Sequence, residues 1–366
     1  MREGNSSDKR KWYMQPLVWF LAVIFLIKII SLYPGGIELY YSTGIYSPIV
    51  SVMRLLIGWL PFSVGDILYT VAGSFLLWKL FGLIKRIAAR KLDRAYCKDA
   101  LTRIILTLMV VYVYFNIAWG LNYNRLGIAY QLKLHPKEYT VEDLRMITGL
   151  LLQRVNVNRK AFPDSVISIP TYSTIFNKSE TAYANATAQY PWLRYTHQSI
   201  KRSLYGRMGN YLGFLGYYNP FTGEAQLNLT IPKFLIPSVT CHEMGHQLGY
   251  ASESEASFVG YLAAIHSPDS LYHYSTYFDL FSYANRELAI RDSMAAKSNF
   301  SRLDSHVKGD FYQLHDYLQK TKNPLEPLIK IFYDQYLKAN QQEKGMQSYN
   351  EVIGWLIAYK KKYGTI

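Results

Sequence analysis

Three long apolar stretches in the first third of this 366-residue chain constrain its fold most. They cover Trp12–Tyr33, Val64–Ile84 and Leu101–Leu121. Each is long enough to cross a bilayer as a helix, which takes about 20 residues. Their few charged residues lie mostly near an end, where a long side chain reaches the interface. The sequence therefore predicts a membrane anchor domain over residues 1–121 with three transmembrane helices.

A fourth apolar piece, residues 49–60, lies between Pro48 and Pro61. It is too short to span, and we expect a re-entrant or interfacial helix. Basic residues cluster before the first span and between the second and third, which places both regions in the cytoplasm. Two regions on the same side of the membrane are separated by an even number of crossings, so the short piece should not cross the bilayer. Residues 122–366 are then predicted to be extracytoplasmic.

Composition supports a folded membrane protein. Half of the residues are hydrophobic, which is too many for a disordered chain. Two cysteines cannot make a disulfide framework. The net charge of +14 could suit nucleic acid, but no basic patch with interleaved aromatic residues is evident. The bilayer, and not a nucleic acid, is the expected partner of the basic regions.

Residues 122–366 are numerous enough to form a separate core. Helical patterns cover residues 140–156, 252–265, 324–340 and 349–363, and another helix should begin after Pro237 and end at Gly249. Strand patterns cover residues 164–174 and 224–230. We therefore expect an α+β fold, mostly helical, in which transmembrane helices precede a soluble domain with a small sheet.

The segment that carries chemistry is an HExxH motif on the helix before Gly249. His242 and His246 are four residues apart, so their imidazoles lie on one helix face and can reach one zinc ion. Glu243 follows the first histidine and is placed to take a proton from a water on the metal. The spacing predicts a Zn²⁺ site with His242 and His246 as ligands and Glu243 as general base.

A third protein ligand is expected on the next helix. A histidine six residues after His246 would be typical of one metalloprotease class, but that position is Ser252. Two histidines with one glutamate form a known catalytic zinc set. Glu255 is favoured because it precedes the apolar stripe of the helix, and Glu253 is the alternative. Glu255 could instead form a capping box with Ser252.

An oxyanion-stabilising side chain is expected to follow these helices. The candidates are His273, Tyr274, Tyr277 and Tyr283, of which Tyr274 is selected. The strand 224–230, with Asn228, could pair with an extended peptide substrate along a sheet edge, or be an ordinary core strand.

The sequence resembles a bacterial membrane-protein family catalogued as domain of unknown function 3810. The matching segments are Pro61–Tyr69, Trp119–Arg125, Gly216–Asn228, Cys241–Phe258 and Ser348–Tyr359. The resemblance implies a bacterial, membrane-anchored, zincin-like metallopeptidase. The segment E-x-E-A-x-F also resembles other zincin families, in which the glutamate before alanine is the third ligand, here Glu255. Ser257 stands where asparagine is common, which puts a contact behind the ligands in doubt.

These observations predict a zinc metallopeptidase of the gluzincin-like type in the bacterial inner membrane, with a periplasmic catalytic domain and a protein or peptide substrate. Three alternatives stay open. The chain could be a non-catalytic zinc-binding envelope protein, a zinc hydrolase of a non-peptide envelope substrate, or an intramembrane protease. The acidic residues around His242 argue against a membrane-embedded site.

Overall fold

The computed structural model describes residues 6–135, 138–161, 171–342, 345 and 351–366, with side chains from residue 15 onward. The first helices are α1 (Ser6–Ser31), α2 (Pro34–Gly36), a π-helical stretch (Ile37–Ile45), α3 (Tyr46–Ile57), α4 (Val64–Ala88), α5 (Arg94–Ala118), α6 (Gly127–Leu132), α7 (Val141–Arg159) and α8 (Tyr172–Thr187). The remaining elements are β1 (Ile200–Arg202), α9 (Gly206–Leu212), β2 (Gly216–Asn219), β3 (Glu224–Leu227), α10 (Ile236–Gln247), α11 (Glu253–Ala264), α12 (Ser270–Arg291), α13 (Ser293–Ser301), α14 (Ser305–Thr321), α15 (Glu326–Ala339) and α16 (Glu351–Tyr363).

Two helices, α4 and α5, are each long and apolar enough to cross a membrane. They correspond to the second and third predicted spans, and no residue of the apolar window of either helix is buried within the protein. The first predicted span lies in α1, and the segment after it, Pro34–Ile57, is bent by 95° relative to Gln15–Ser31. Together the two segments are apolar and long enough to count as one further, broken span. These features are consistent with a membrane protein that has two spans, or three if the bent pair counts as one.

The predicted re-entrant or interfacial piece falls mainly in α3, which lies against the rest of the protein. Tyr46, Val50 and Arg54 are spaced four residues apart and are buried. The guanidinium of Arg54 lies 4.5 Å from the ring centre of Tyr195. At the end of α3, Lys201 donates hydrogen bonds to backbone carbonyls of residues 57, 58 and 60. This part of the predicted anchor is therefore joined to the second half of the chain.

The second half of the chain is mostly helical with a small sheet. The order of the strands is β1-β3-β2, with β1 parallel and β2 antiparallel to β3. The sheet packs on α10, and the main core also includes side chains of α7, α8, α11, α12 and α16. The predicted strand 224–230 is confirmed over its first four residues, which form β3. Most of the predicted strand 164–174 lies outside the described residues, and its last residues begin α8.

The start of α4 is bonded to the sheet. Glu224 is fully buried at the start of β3, and its carboxylate accepts hydrogen bonds from the backbone N–H groups of Val64 at 3.0 Å and Gly65 at 2.6 Å. A carboxylate at a helix N-terminus meets unpaired N–H groups and the positive end of the helix dipole. This contact fixes one end of a candidate span to the strand beside the candidate site.

Candidate metal centre

The two helices that carry the motif pack closely because each has a glycine at the contact. A Cβ atom on Gly245 of α10 would lie 3.1 Å from the carbonyl oxygen of Ala256, and one on Gly260 of α11 would lie 2.9 Å from the backbone nitrogen of His242. Gly249, with φ of 84°, ends α10 as predicted. The sharp reversal there lets α11 return along α10.

Three side chains meet where these helices face each other. Oε2 of Glu253 lies 3.1 Å from Nε2 of His242 and 3.4 Å from Nε2 of His246. All three ligand atoms lie within 4.8 Å of one another. Ligands about 2.0 Å from a tetrahedral zinc ion are separated by about 3.3 Å. The donor set and its spacing therefore fit a zinc ion held by two imidazoles and one carboxylate.

The groups behind the ligands hold them in this orientation. Nδ1 of His242 lies 3.1 Å from Oγ of Ser257, and Nδ1 of His246 donates to the carbonyl oxygen of Tyr250 at 2.8 Å. The hydroxyl of Tyr333 donates to Oε1 of Glu253 at 3.0 Å, on the side away from the histidines. Such contacts fix ring orientation and leave Nε2 available to a metal. Ser257 thus supplies the contact that the family pattern had put in doubt.

Glu243 lies beside the cluster in a closed environment. It is 4% exposed, and none of the described residues places a donor within hydrogen-bond distance of its Oε2. A Cβ atom on Gly216 of β2 would lie 2.7 Å from Oε1 of Glu243. The strand therefore leaves room for this carboxylate only because it has glycine there. A buried carboxylate with a vacant acceptor suits a proton-accepting role.

Burial and mutual charge set the protonation of the cluster. Burial raises the pKa of Glu243 to about 8. Burial lowers the pKa of His242, which favours the neutral imidazole that a metal requires. Burial also disfavours the charged form of His246, but the neighbouring Glu253 outweighs it and raises the pKa to about 9. Although burial acts against ionisation of Glu253, the two histidines hold its pKa well below the usual range.

The prediction that Glu255 joins the histidines is not met by the geometry. Oε1 of Glu255 accepts a hydrogen bond from the backbone N–H of Ile128 at 2.9 Å and fits against Gly127. Two residues on a helix are separated by about 200°, so Glu253 and Glu255 face opposite ways. Ser257 and Gly260 face α10 and continue the stripe that begins at Glu253. The alternative candidate, Glu253, is therefore the one brought to the histidines.

The selected oxyanion candidate, Tyr274, is directed elsewhere. It is buried in the core, and its hydroxyl donates to the carboxylate of Asp310. His273 contacts the carbonyl oxygen of Ser267. Burial raises the pKa of Tyr283, and the negative charge of Glu253 adds to this rise. Tyr333, which touches the cluster, was missed because no local pattern distinguishes it among 33 tyrosines.

The strand that was predicted to pair with a peptide substrate, residues 224–230, does not lie at an edge of the sheet. Strand β3 is central, between β1 and β2, so it has no free edge. Asn228 is buried and donates to Asn210 at 2.5 Å. The alternative of an ordinary core strand therefore holds for β3. Among the described strands, the unpaired edge beside the candidate site belongs to β2.

The family comparison covers both the candidate centre and the segments that contact it. Residues 41–357 match the family described as protein of unknown function, DUF3810. The chain belongs to this family. No curated protein and no solved structure matches the chain. The matched range begins inside the π-helical stretch and includes α10, α11 and Tyr333, so the family extends over the whole candidate centre.

Proposed function

We propose that this DUF3810 chain is a membrane-anchored zinc metallopeptidase with a zincin-like catalytic domain outside the bacterial cytoplasm. His242, His246 and Glu253 would hold the metal. Bound zinc would supply Lewis acidity, polarising a peptide carbonyl and making water more acidic. Glu243 would accept a proton from the attacking water and pass it to the leaving amine.

One observation carries this proposal. The carboxylate of Glu243, whose Oε2 has no hydrogen-bond partner among the described residues, lies beside three side chains that can bind a metal ion. Structural zinc sites are closed by four protein ligands, whereas catalytic sites have three and an open position. Within the described part of the chain, the cluster contains two histidines and one glutamate and no fourth such side chain. This favours a catalytic centre over the non-catalytic envelope protein. The donors lie on α10 and α11, which are not candidate spans, and this argues against an intramembrane protease.

A peptide substrate is favoured by the free edge of β2. The N–H of Asn228 donates to the carbonyl oxygen of Leu215 at 2.9 Å. Because bonded pairs alternate along antiparallel strands, the backbone groups of Gly216 and Tyr218 point away from β3. An extended polypeptide can pair with such an edge. Gly216 adjoins Glu243, so a chain paired there would lie beside the general base. A non-peptide substrate would make no use of this edge.

The proposal is tested with the full chain in detergent or nanodiscs and a randomised peptide mixture read by mass spectrometry. Glu243→Gln should retain about one zinc per chain and lose hydrolysis, whereas His246→Ala should lose both. Gln keeps the shape of the side chain but cannot act as the base. Hydrolysis that persists in Glu243→Gln would contradict the assigned base, and a folded wild-type chain without zinc affinity would contradict the function.

A further inference from the structure

The candidate metal centre lies at the end of a candidate span. Trp119 directly follows α5, and its indole N–H donates to the carbonyl oxygen of His246 at 3.4 Å. The two ring centres are 6.1 Å apart. Tyr46, in the segment bent away from α1, donates to the carbonyl oxygen of Gln247 at 3.1 Å. If α5 crosses the bilayer, the donors of the centre lie within about one helix diameter, roughly 10 Å, of its end.

A groove runs from the candidate spans toward this centre. It has a volume of about 710 Å³ and lies between α1 and α5, with Phe221 and Tyr336 at one end. Its lining along α5 extends from Ile105 to Phe115, which is about 15 Å of helix, or half the apolar thickness of a bilayer. The lining is almost wholly apolar, and Lys28 is the one charged residue among the described side chains that form it.

The wall that ends the groove is shared with the metal centre. The ring of Tyr336 stacks on that of Tyr333, with centres 6.2 Å apart. The hydroxyl of Tyr333 donates to Glu253, one of the proposed ligands. The hydroxyl groups of Tyr336 and Tyr123 lie 3.3 Å apart. The contacts from Tyr336 through Tyr333 to Glu253 thus connect the groove to the site.

The helix that carries this wall has an apolar face. On and next to α15, Leu325, Leu328, Phe332 and Tyr336 follow one another at spacings of three and four residues, and all are exposed. This stripe ends at the residue that lines the groove. An exposed apolar helix face continuous with membrane-facing helices is expected to rest at the lipid boundary. If the stripe on α15 rests at the lipid boundary, it lies on the same side of the protein as the groove, because both include Tyr336.

We propose that the substrate is a polypeptide anchored in the same membrane, whose transmembrane segment lies in the groove between α1 and α5 and which is cut just outside the bilayer. The inference rests on the proposed peptidase function. Packing of apolar side chains along half the bilayer thickness suits a transmembrane helix. The position of the site beside the end of the groove brings the adjoining stretch of that polypeptide to Glu243.

The test uses the full chain in phospholipid nanodiscs and two probes with the same randomised twelve-residue segment. One probe is a free peptide, and the other joins the segment to a 20-residue Leu/Ala transmembrane helix. We expect the anchored probe to be cut at least about tenfold faster, because anchoring raises its effective concentration. Met109→Trp, which fills the groove, should remove most of that advantage and leave the free peptide unaffected. Leu77→Trp on α4, outside the groove, is the matched control.

A second readout does not depend on activity. A photo-crosslinking benzoylphenylalanine in place of Met109 should capture the Leu/Ala helix, and one in place of Leu77 should not. Equal effects of the two tryptophan variants, or equal crosslinking at the two positions, would overturn the docking proposal and leave the peptidase proposal standing. Zinc-loaded protein that cuts neither probe would overturn the peptidase proposal, and crosslinking at position 109 would still report whether the groove binds a transmembrane segment.

Discussion

Tyr333 holds the carboxylate of Glu253 from behind. Its hydroxyl donates to Oε1 at 3.0 Å, while Oε2 faces both histidines at 3.1 and 3.4 Å. The two oxygens of one carboxylate therefore have different partners, and only one is free to ligate a metal. Because Tyr333 lies on α15, 80 residues after Glu253, a distant helix determines how the ligand is presented.

Removal of the Glu253 carboxylate should abolish tight zinc binding. Loss of a partner behind a ligand typically weakens metal affinity about 10- to 100-fold, so loss of the ligand itself in Glu253→Ala should cost more. Glu255→Gln is the control, because its side-chain oxygen can still accept from Ile128. Zinc content after dialysis against a weak chelator measures both variants. Loss of zinc in Glu255→Gln with retention in Glu253→Ala would reverse the assignment.

The Tyr333 contact should affect metal affinity without affecting the fold. Tyr333→Phe removes the donor to Glu253 and should weaken zinc binding about 10- to 100-fold. Tyr336→Phe, one turn away on the same helix, loses a hydroxyl that faces Tyr123 instead and should bind zinc as the wild type does. Competition with a fluorescent zinc chelator gives both affinities. Equal affinities in the two variants would show that the contact does not orient the ligand.

Gly216 should be needed for the position of Glu243. In Gly216→Ala the new Cβ would lie 2.7 Å from Oε1 of that carboxylate, so the base must shift. We expect hydrolysis to fall at least about tenfold while zinc is retained, since a small misplacement of a reacting group is costly. Gly149→Ala on α7, where a Cβ meets nothing within 4 Å, is the control. Full activity in Gly216→Ala would mean that the base tolerates the displacement.

Asp279 should make stability depend on pH. Burial raises its pKa to about 7, although Arg286 acts in the opposite direction. In the unfolded chain the pKa is about 3.9. Between these values the unfolded state has released a proton that the folded state keeps, so stability falls as pH rises, by up to about 4 kcal/mol. Asp279→Asn should therefore melt higher than wild type at pH 8, with a smaller difference at pH 5. Thermal unfolding in detergent measures this, and a difference independent of pH would contradict it.

The buried pair of Glu38 and Arg125 should stabilise the contact between the bent segment and α10. Their side chains are 6% and 3% exposed and lie 2.7 Å apart, and Arg125 also donates to the carbonyl oxygen of Gly249 at 3.1 Å. Glu38→Ala leaves a buried charge and should cost about 3–5 kcal/mol. Asp316→Ala, which breaks an exposed pair with Lys320, should change the melting temperature little. Similar melting temperatures for the two variants would argue against the buried pair.

The predictions that depended on local pattern agree best with the structure. The predicted helix over residues 140–156 is α7, which begins in the structure with a capping box of Thr140 and Asp143, and Gly249 ends α10 as predicted. The second and third apolar stretches form α4 and α5. The first apolar stretch forms most of α1, but the 95° bend after it, before Pro34, is not revealed by apolar length alone.

Predictions that required knowledge of packing were less successful. The apolar stripe within residues 252–265 correctly indicated a buried helix. Because α11 is buried on several sides, however, the stripe did not identify the face toward α10. The same limitation applies to Tyr274, whose hydroxyl is taken by Asp310 on α14. In both cases the deciding partner lies on another element.

The sequence by itself determined the spacing of His242 and His246 on one helix face and the position of Glu243 beside them, because a helix repeats every 3.6 residues whatever surrounds it. It also determined the apolar lengths of α4 and α5. Only the tertiary structure decided that Glu253 completes the cluster, that Tyr333 and Ser257 support it, and that β2 presents the free edge. Those contacts join residues far apart in the chain, and they depend on how closely α10, α11 and α15 approach one another.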